Sequence, residues 1–197
     1  MPQKRNYELR KRAERLMETR GRITAATLDL HRTVGPAATR ITEIARRAGV
    51  QRPTVYNHFR DEASLLAACS AEWRALHPRP DPAAWLQVEA FGGRLRLGLR
   101  ELYTWYRETE PMTANILRDA TLVPALRPFV ERGLGGYLED VRRILTEPIR
   151  VKGRRRARVD AAARAAVDFH IWRAFAPIGD ADAAELAARL VELAASG

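Results

Sequence analysis

Apolar residues return every three or four positions along almost the whole chain, and no stretch alternates with the period of two that marks a half-buried strand. Leu9, Ala13, Leu16 and Met17 recur at helical spacing, Gly21 interrupts them, and Ile23, Ala26, Leu30 and Val34 resume the stripe up to the break at Gly35 and Pro36. This pattern predicts a basic extension over residues 1–20 followed by a first helix. Ile41, Ile44, Ala45 and Ala48 define a second helix over 40–48, with Thr39 placed to cap it. Gly49 supplies the positive φ of a tight turn, and Pro53 fits only in the first turn of a short third helix over 52–59. Asp61 is a good N-cap for a fourth helix carrying Leu65, Leu66, Cys69, Trp73 and Leu76, which the run HPRPDP at 77–82 stops. Further helices are expected over 83–109, 112–120, 125–146, 157–176 and 181–195, so the chain is all-α, with about nine helices. No internal repeat is present.

Composition narrows the class. The 197 residues suffice for a small headpiece joined to a larger helical body, and the lone Cys69 excludes an intrachain disulfide, as suits a reducing cytosol. The opening MPQKRNYELRKR has no apolar signal core, and no later run approaches the roughly 18 apolar residues of a membrane span. A cytoplasmic protein without membrane association is expected. The net charge is +10, and residues 1–60 hold 14 Lys and Arg against 5 Asp and Glu. Nearly all the excess therefore sits in the first third, the footprint of a nucleic-acid-binding end on a near-neutral body. The basic run at 150–158 falls in an expected loop and reads as a solvated linker. Zinc-ligand spacings, the G-x-S-x-G elbow and phosphate-binding glycine loops are all absent from the sequence, and His31, His58, His77 and His170 fall on different elements. A small helical enzyme is the remote alternative, and no cofactor or metal is expected.

The informative segment is 39–66, TRITEIARRAGVQRPTVYNHFRDEASLL. Two short amphipathic helices joined at Gly49 bury Ile44, Ala45, Val50, Val55 and Phe59 between them. They leave Gln51, Arg52, Thr54, Tyr56, Asn57 and His58 on an outer polar face suited to the major groove. A core helical hairpin is the plainer alternative. The stretch IARRAGVQRPTVYNHF resembles the DNA-binding signature of the tetracycline-repressor (TetR) family, and the resemblance covers about residues 22–68. It implies an N-terminal three-helix helix-turn-helix domain over 21–68, after the extension of 1–20, and a helical regulatory and dimerisation domain over 69–197. It further implies DNA contacts by Thr39, Arg40, Gln51, Arg52, Pro53, Thr54, Tyr56, Asn57 and His58, with Thr39 and Tyr56 on phosphates and His58 close to one. Two positions depart from the family pattern. Gln51 stands where Ser or Thr is usual, and Glu62 stands where Lys is usual and would repel a phosphate. Lys4, Arg5, Arg10, Lys11 and Arg12 of the extension are placed to follow the flanking DNA backbone.

The function so implied is a repressor bound to double-stranded operator DNA and released by an unidentified small molecule. An activator, or an architectural binder with no inducer, is the alternative. One helix-turn-helix reads too few base pairs, so a homodimer through the last two helices is expected, with Ala162, Ala165, Phe169, Trp172, Leu186, Leu190 and Leu193 at the interface. Trp105, Tyr106, Met112, Phe129, Tyr137 and His170 are the candidate ligand-binding residues, chosen for aromatic surface with polar handles.

Overall fold

The computed structural model describes residues 2–196, with side chains from Asn6 onward. Nine α-helices are present among the described residues: α1 Pro2–Thr33, α2 Ile41–Ala48, α3 Arg52–His58, α4 Glu62–Leu76, α5 Phe91–Asp119, α6 Gly136–Thr146, α7 Gly153–Ala166, α8 Phe169–Phe175 and α9 Asp180–Ser196. Short 3-10 turns and one π-helical segment, Phe129–Gly135, join them, and no strand occurs among the described residues. The chain forms two compact units, Met1–Leu76 with Pro111–Val130, and His77–Glu110 with Glu131–Gly197.

In the first unit, Ile23 and Leu30 of α1 pack with Ile44, Ala45 and Ala48 of α2, Val55 and Phe59 at α3, and Leu65 and Cys69 of α4. Met112 joins this cluster, and Leu66, Val123 and Leu126 form a second one. Gly49 closes α2 at a φ of 65°, its N–H directed to the carbonyls of Ala45 and Arg46. Asp61 caps α4 as expected: its carboxylate accepts from the Ser64 N–H at 2.8 Å, and the Ser64 hydroxyl donates back to the Asp61 carbonyl.

Gly21 does not interrupt the first helix. It leaves α1 continuous from Pro2, because one glycine costs a helix only about 1 kcal/mol. Leu9, Leu16 and Met17 are exposed along it. Thr39 does not cap α2; the N-cap is Arg40, without a side-chain bond, and the Thr39 hydroxyl donates to the Gly35 carbonyl at 2.8 Å. The far end of α1 is held by the last turns of α5. The Asn115 amide donates to the carbonyls of His31 and Arg32, Arg118 donates to that of Val34, and Asp119 accepts from the Ala37 N–H at 2.9 Å. Gly35 turns the chain here at a φ of 91°, where a Cβ would collide with the Arg118 and Asp119 side chains.

The second unit shows where distant partners override local punctuation. The helix expected over 83–109 is a 3-10 turn, Pro82–Gln87, followed by α5, which runs through Pro111 and absorbs most of 112–120. The stretch 125–146 is divided among a 3-10 turn, the π segment and α6. The helix expected over 157–176 breaks between α7 and α8, and Asp168 caps α8 by accepting from the His170 and Ile171 N–H groups. Carbonyls left open at that break are satisfied from α5: Tyr103 donates to Ala166 at 2.7 Å and Tyr106 to Val167 at 2.6 Å. The basic run at 150–158 is not all loop, since α7 begins at Gly153 and Arg156 pairs with Asp160.

His31 is 5% exposed in the first unit. Burial pushes its pKa from 6.5 down to about 4, against the smaller opposing pull of the Asp119 carboxylate. Between those values the unfolded chain binds the proton and the folded chain does not, so stability present above pH 6.5 is lost as pH falls towards 4, by about 3 kcal/mol. The midpoint of thermal unfolding is therefore expected to fall across this window, and to fall less in His31→Gln. Equal slopes in the two proteins would contradict this assignment.

Candidate nucleic-acid interface

The α3 helix divides cleanly into two faces. Val55 and, just past its end, Phe59 are buried at 1% and 2% exposure. Gln51, Arg52, Pro53, Tyr56 and Asn57 point to solvent, while Thr54 and His58 are half-buried. Gln51 occupies the N-cap position without making a side-chain cap bond, so its amide is not used by the helix. Pro53 lies in the first turn, where the missing N–H costs nothing. Along the outer face the Arg52 guanidinium donates to the Tyr56 hydroxyl at 3.2 Å and lies 5.6 Å from the ring centroid. Thr39 is half-buried and Arg40 exposed at the start of α2. All nine residues expected at a DNA surface thus lie on α3 or in the residues leading into α2 and α3, within one unit.

Arg20 is a residue that the motif did not reveal. From α1 it donates to the His58 carbonyl at 2.6 Å, and its guanidinium stands 4.1 Å from the centroid of the Phe59 ring. It closes the C-terminal end of α3 and covers the aromatic anchor at once. Its only sequence signal was a basic residue in helical phase with Leu9, Ala13 and Leu16, which reads equally well as solvated charge.

The charge surplus is partly spent locally. Arg46 and Arg47 both bind Glu43, Arg47 also pairs with Asp29, and the hydrogen bonds to Glu43, those of Arg46 first, hold its carboxyl down at about 2. Arg10 pairs with Glu14 at 3.1 Å. Arg22 and Arg40 have no ion pair among the described residues and are exposed. Lys11 and Arg12 are exposed, whereas the side chains of Lys4 and Arg5 lie outside the described residues. Glu62 is exposed in the first turn of α4.

The description "Bacterial regulatory proteins, tetR family" fits residues 23–69. The headpiece is also similar to the HTH-type transcriptional regulator CymR of Pseudomonas putida, with 42% identity over 64 residues, 32% of this chain and 31% of that protein. Residues 23–69 thus form a TetR-type headpiece. The chain thus spans about a third of the length of the curated relative it matches. A crystal structure of a TetR transcriptional regulator from Rhodococcus sp. RHA1 aligns over 92% of this chain and 97% of that one, at 17% identity and a TM-score of 0.41.

Outside the TetR-type headpiece the expected groupings separate. Of the six ligand candidates, Trp105, Tyr106 and Tyr137 are together in the second unit, with Trp105 5.5 Å from Tyr106 and 6.3 Å from Tyr137 between ring centroids. The Arg79 guanidinium covers both outer rings, at 5.7 Å from Trp105 and 4.9 Å from Tyr137. Met112 instead belongs to the headpiece core, Phe129 packs on the Leu66 cluster, and His170 is exposed on α8. Of the interface candidates, Phe169 and Trp172 are buried in their own chain with Tyr106, at 5.3 and 5.5 Å, and are closed to a partner. Ala162 is half-buried and Ala165 exposed, while Leu186, Leu190 and Leu193 are 39%, 47% and 71% exposed. No group of His, Cys, Asp and Glu able to hold a metal ion occurs among the described residues, and no helix there is long and apolar enough to cross a membrane.

Arg20→Ala is expected to destabilise the first unit by about 1.5–3 kcal/mol, the worth of a hydrogen bond to a charged group, and to speed amide exchange over 52–59. Unchanged melting and exchange would remove Arg20 from this role.

Proposed function

We propose that this protein is a cytoplasmic homodimeric repressor of the TetR type that lays α3 of each copy in the major groove of a near-palindromic operator and is released by a small-molecule ligand. The observation that carries this reading is the two-faced α3: an apolar face locked at Val55 and Phe59, and an outer face of donors and acceptors that takes no part in the core. Arg52 suits guanine N7 and O6, Asn57 and Gln51 suit adenine, and the Thr54 methyl suits thymine. Thr39, Arg40, Tyr56 and His58 are assigned to phosphate contact, which sets register without reading sequence. The near-neutral remainder of the chain and the charge surplus of residues 1–60 favour attraction of DNA to this end alone.

Leu186, Leu190 and Leu193 support the dimer. They follow one another at i, i+4 and i+7 on the flank of α9 beside the buried Ala183, Ala187 and Val191, and Ala165 on α7 is exposed as well. Two half-sites on one face of the duplex then lie about 34–36 Å apart. For the ligand, the Trp105 ring and Arg79, whose guanidinium also covers Tyr137, border an open cavity of about 380 Å3 in the second unit. Release requires that the ligand bind the DNA-free form more tightly, and roughly 1–3 kcal/mol of coupling suffices.

Selection of bound sequences from a random duplex pool is expected to yield a near-palindrome. On it, Arg52→Ala and Asn57→Ala should each cost about 1–3 kcal/mol at fixed salt and relax preference at particular base pairs. Enrichment of no sequence, or mutants that bind like the parent, would overturn the assignment of α3. Separately, Leu190→Asp is expected to convert the dimer to a monomer in sedimentation while leaving the helical content unchanged. A variant that still sediments as a dimer would move the interface elsewhere.

A further inference from the structure

Below the outer face of α3, the first unit holds a partly open cavity of about 230 Å3. Ile44, Val55, Phe59 and Leu65 form its apolar walls, His31 lines it from α1, and Tyr56, Asp61 and Glu62 stand at its more exposed side. We propose that this cavity binds a small single-ring aromatic amine in its ammonium form, with the ring among Ile44, Val55 and Phe59 and the charge at Glu62. The site is distinct from any ligand cavity of the second unit.

Size sets the class. An enclosed apolar cavity of roughly 150 Å3 takes a benzene, so this one admits a single ring with a short arm and excludes fused polycyclic bodies. Charge sets the sign. The lining contains two carboxylates and neither Lys nor Arg. The Asp61 carboxylate is spent on the Ser64 N–H, which leaves Glu62 as the open acceptor. The amino end of α4 favours anions, but Glu62 in its first turn already supplies one.

His31 contributes a second, independent feature. Its ring is nineteen-twentieths buried, makes no hydrogen bond among the described residues, and borders the cavity. Burial keeps it uncharged at neutral pH, so it neither attracts an anion nor repels a cation, and its ring nitrogens remain available to a polar arm or to water. An organic carboxylate of the same size would meet only Asp61, Glu62 and a neutral imidazole, and is excluded.

Occupancy would bear on the surface above. Tyr56 and Thr39, the expected phosphate contacts, line the same cavity, so an amine lodged there fixes Tyr56 and adds positive charge beside it. Binding of the amine does not depend on the DNA reading; only its effect on operator affinity does.

The test uses the full-length protein, with phenethylamine hydrochloride as probe and 3-phenylpropionate as its anionic counterpart. Titration followed by NMR is expected to show saturable binding of the amine and intermolecular NOEs from its ring to the methyls of Ile44, Val55 and Leu65. Glu62→Gln, an exposed position that threatens no packing, should bind it about tenfold more weakly, and the carboxylate should not bind at the same concentration. Absence of those NOEs, equal binding of the carboxylate, or unchanged affinity in Glu62→Gln would each overturn the proposal. On the selected operator, higher DNA affinity in the presence of the amine, the result expected of positive charge added beside the phosphate contacts, joins the site to the regulatory reading. Unchanged DNA affinity with the NOEs intact leaves the site standing and overturns the use of Thr39 and Tyr56 at phosphates.

Discussion

A seven-residue helix cannot hold itself in water, since isolated helices shorter than about 12–15 residues are marginal even with favourable sequences. The exposed chemistry of the headpiece therefore depends on how α3 is anchored. Val55 and Phe59 supply the anchor, each contributing roughly 1.5–3 kcal/mol on full burial. That is enough to offset the cost of nucleating two helical turns, provided the receiving core is rigid. Ile23, Leu30, Ile44 and Leu65 make it so from three different helices. Once those two side chains are seated, the outer residues need do nothing for stability, which frees Gln51, Arg52, Thr54 and Asn57 to be chosen for what they touch.

The same dependence explains two polar features that look expensive in isolation. Arg20 pairs with the last carbonyl region of α3 and covers Phe59, so one α1 side chain caps the helix and shields its anchor. At the opposite end of α1, Asp119 is 1% exposed, yet it accepts from the Ala37 N–H and from Arg118. Burial alone would raise its pKa; those hydrogen bonds outweigh the burial and keep it below the usual carboxylate range. An ionised carboxylate is thus built into the turn leading from α1 to α2, which fixes where Thr39 and Arg40 begin.

What the sequence disclosed was decided by neighbours within one or two turns. Gly49, Pro53 and Asp61 act on their own backbone, and the helix ends they predict are where the structure has them. What it concealed was decided by partners far along the chain. Gly21 and Pro111 both look like breaks, but Arg107 and Pro111 are exposed, so the carbonyl that Pro111 leaves unbonded can turn to water and α5 continues. The real break between α7 and α8 carries no glycine or proline. It is tolerated because Tyr103 and Tyr106, more than sixty residues away in sequence, reach its two open carbonyls.

That reach also settles why aromatic content was a poor guide to a ligand cavity. A tyrosine in the middle of a helix reads as a wall with a polar handle, but the handles of Tyr103 and Tyr106 are consumed by the backbone, and burial pushes both phenols well above their ordinary range. With Phe169 and Trp172 against Tyr106, the group is core, and removing any member leaves a cavity or an unbonded carbonyl. The tryptophan indoles behave likewise: Trp105 donates to the His77 carbonyl and Trp85 to Glu101. At the edge of this group Arg100 and Glu108 border the Trp105 and Arg79 surface with charges of both signs. A molecule recognised there must complement two opposite charges over an aromatic floor, a requirement set by which side chains the fold has left unspent.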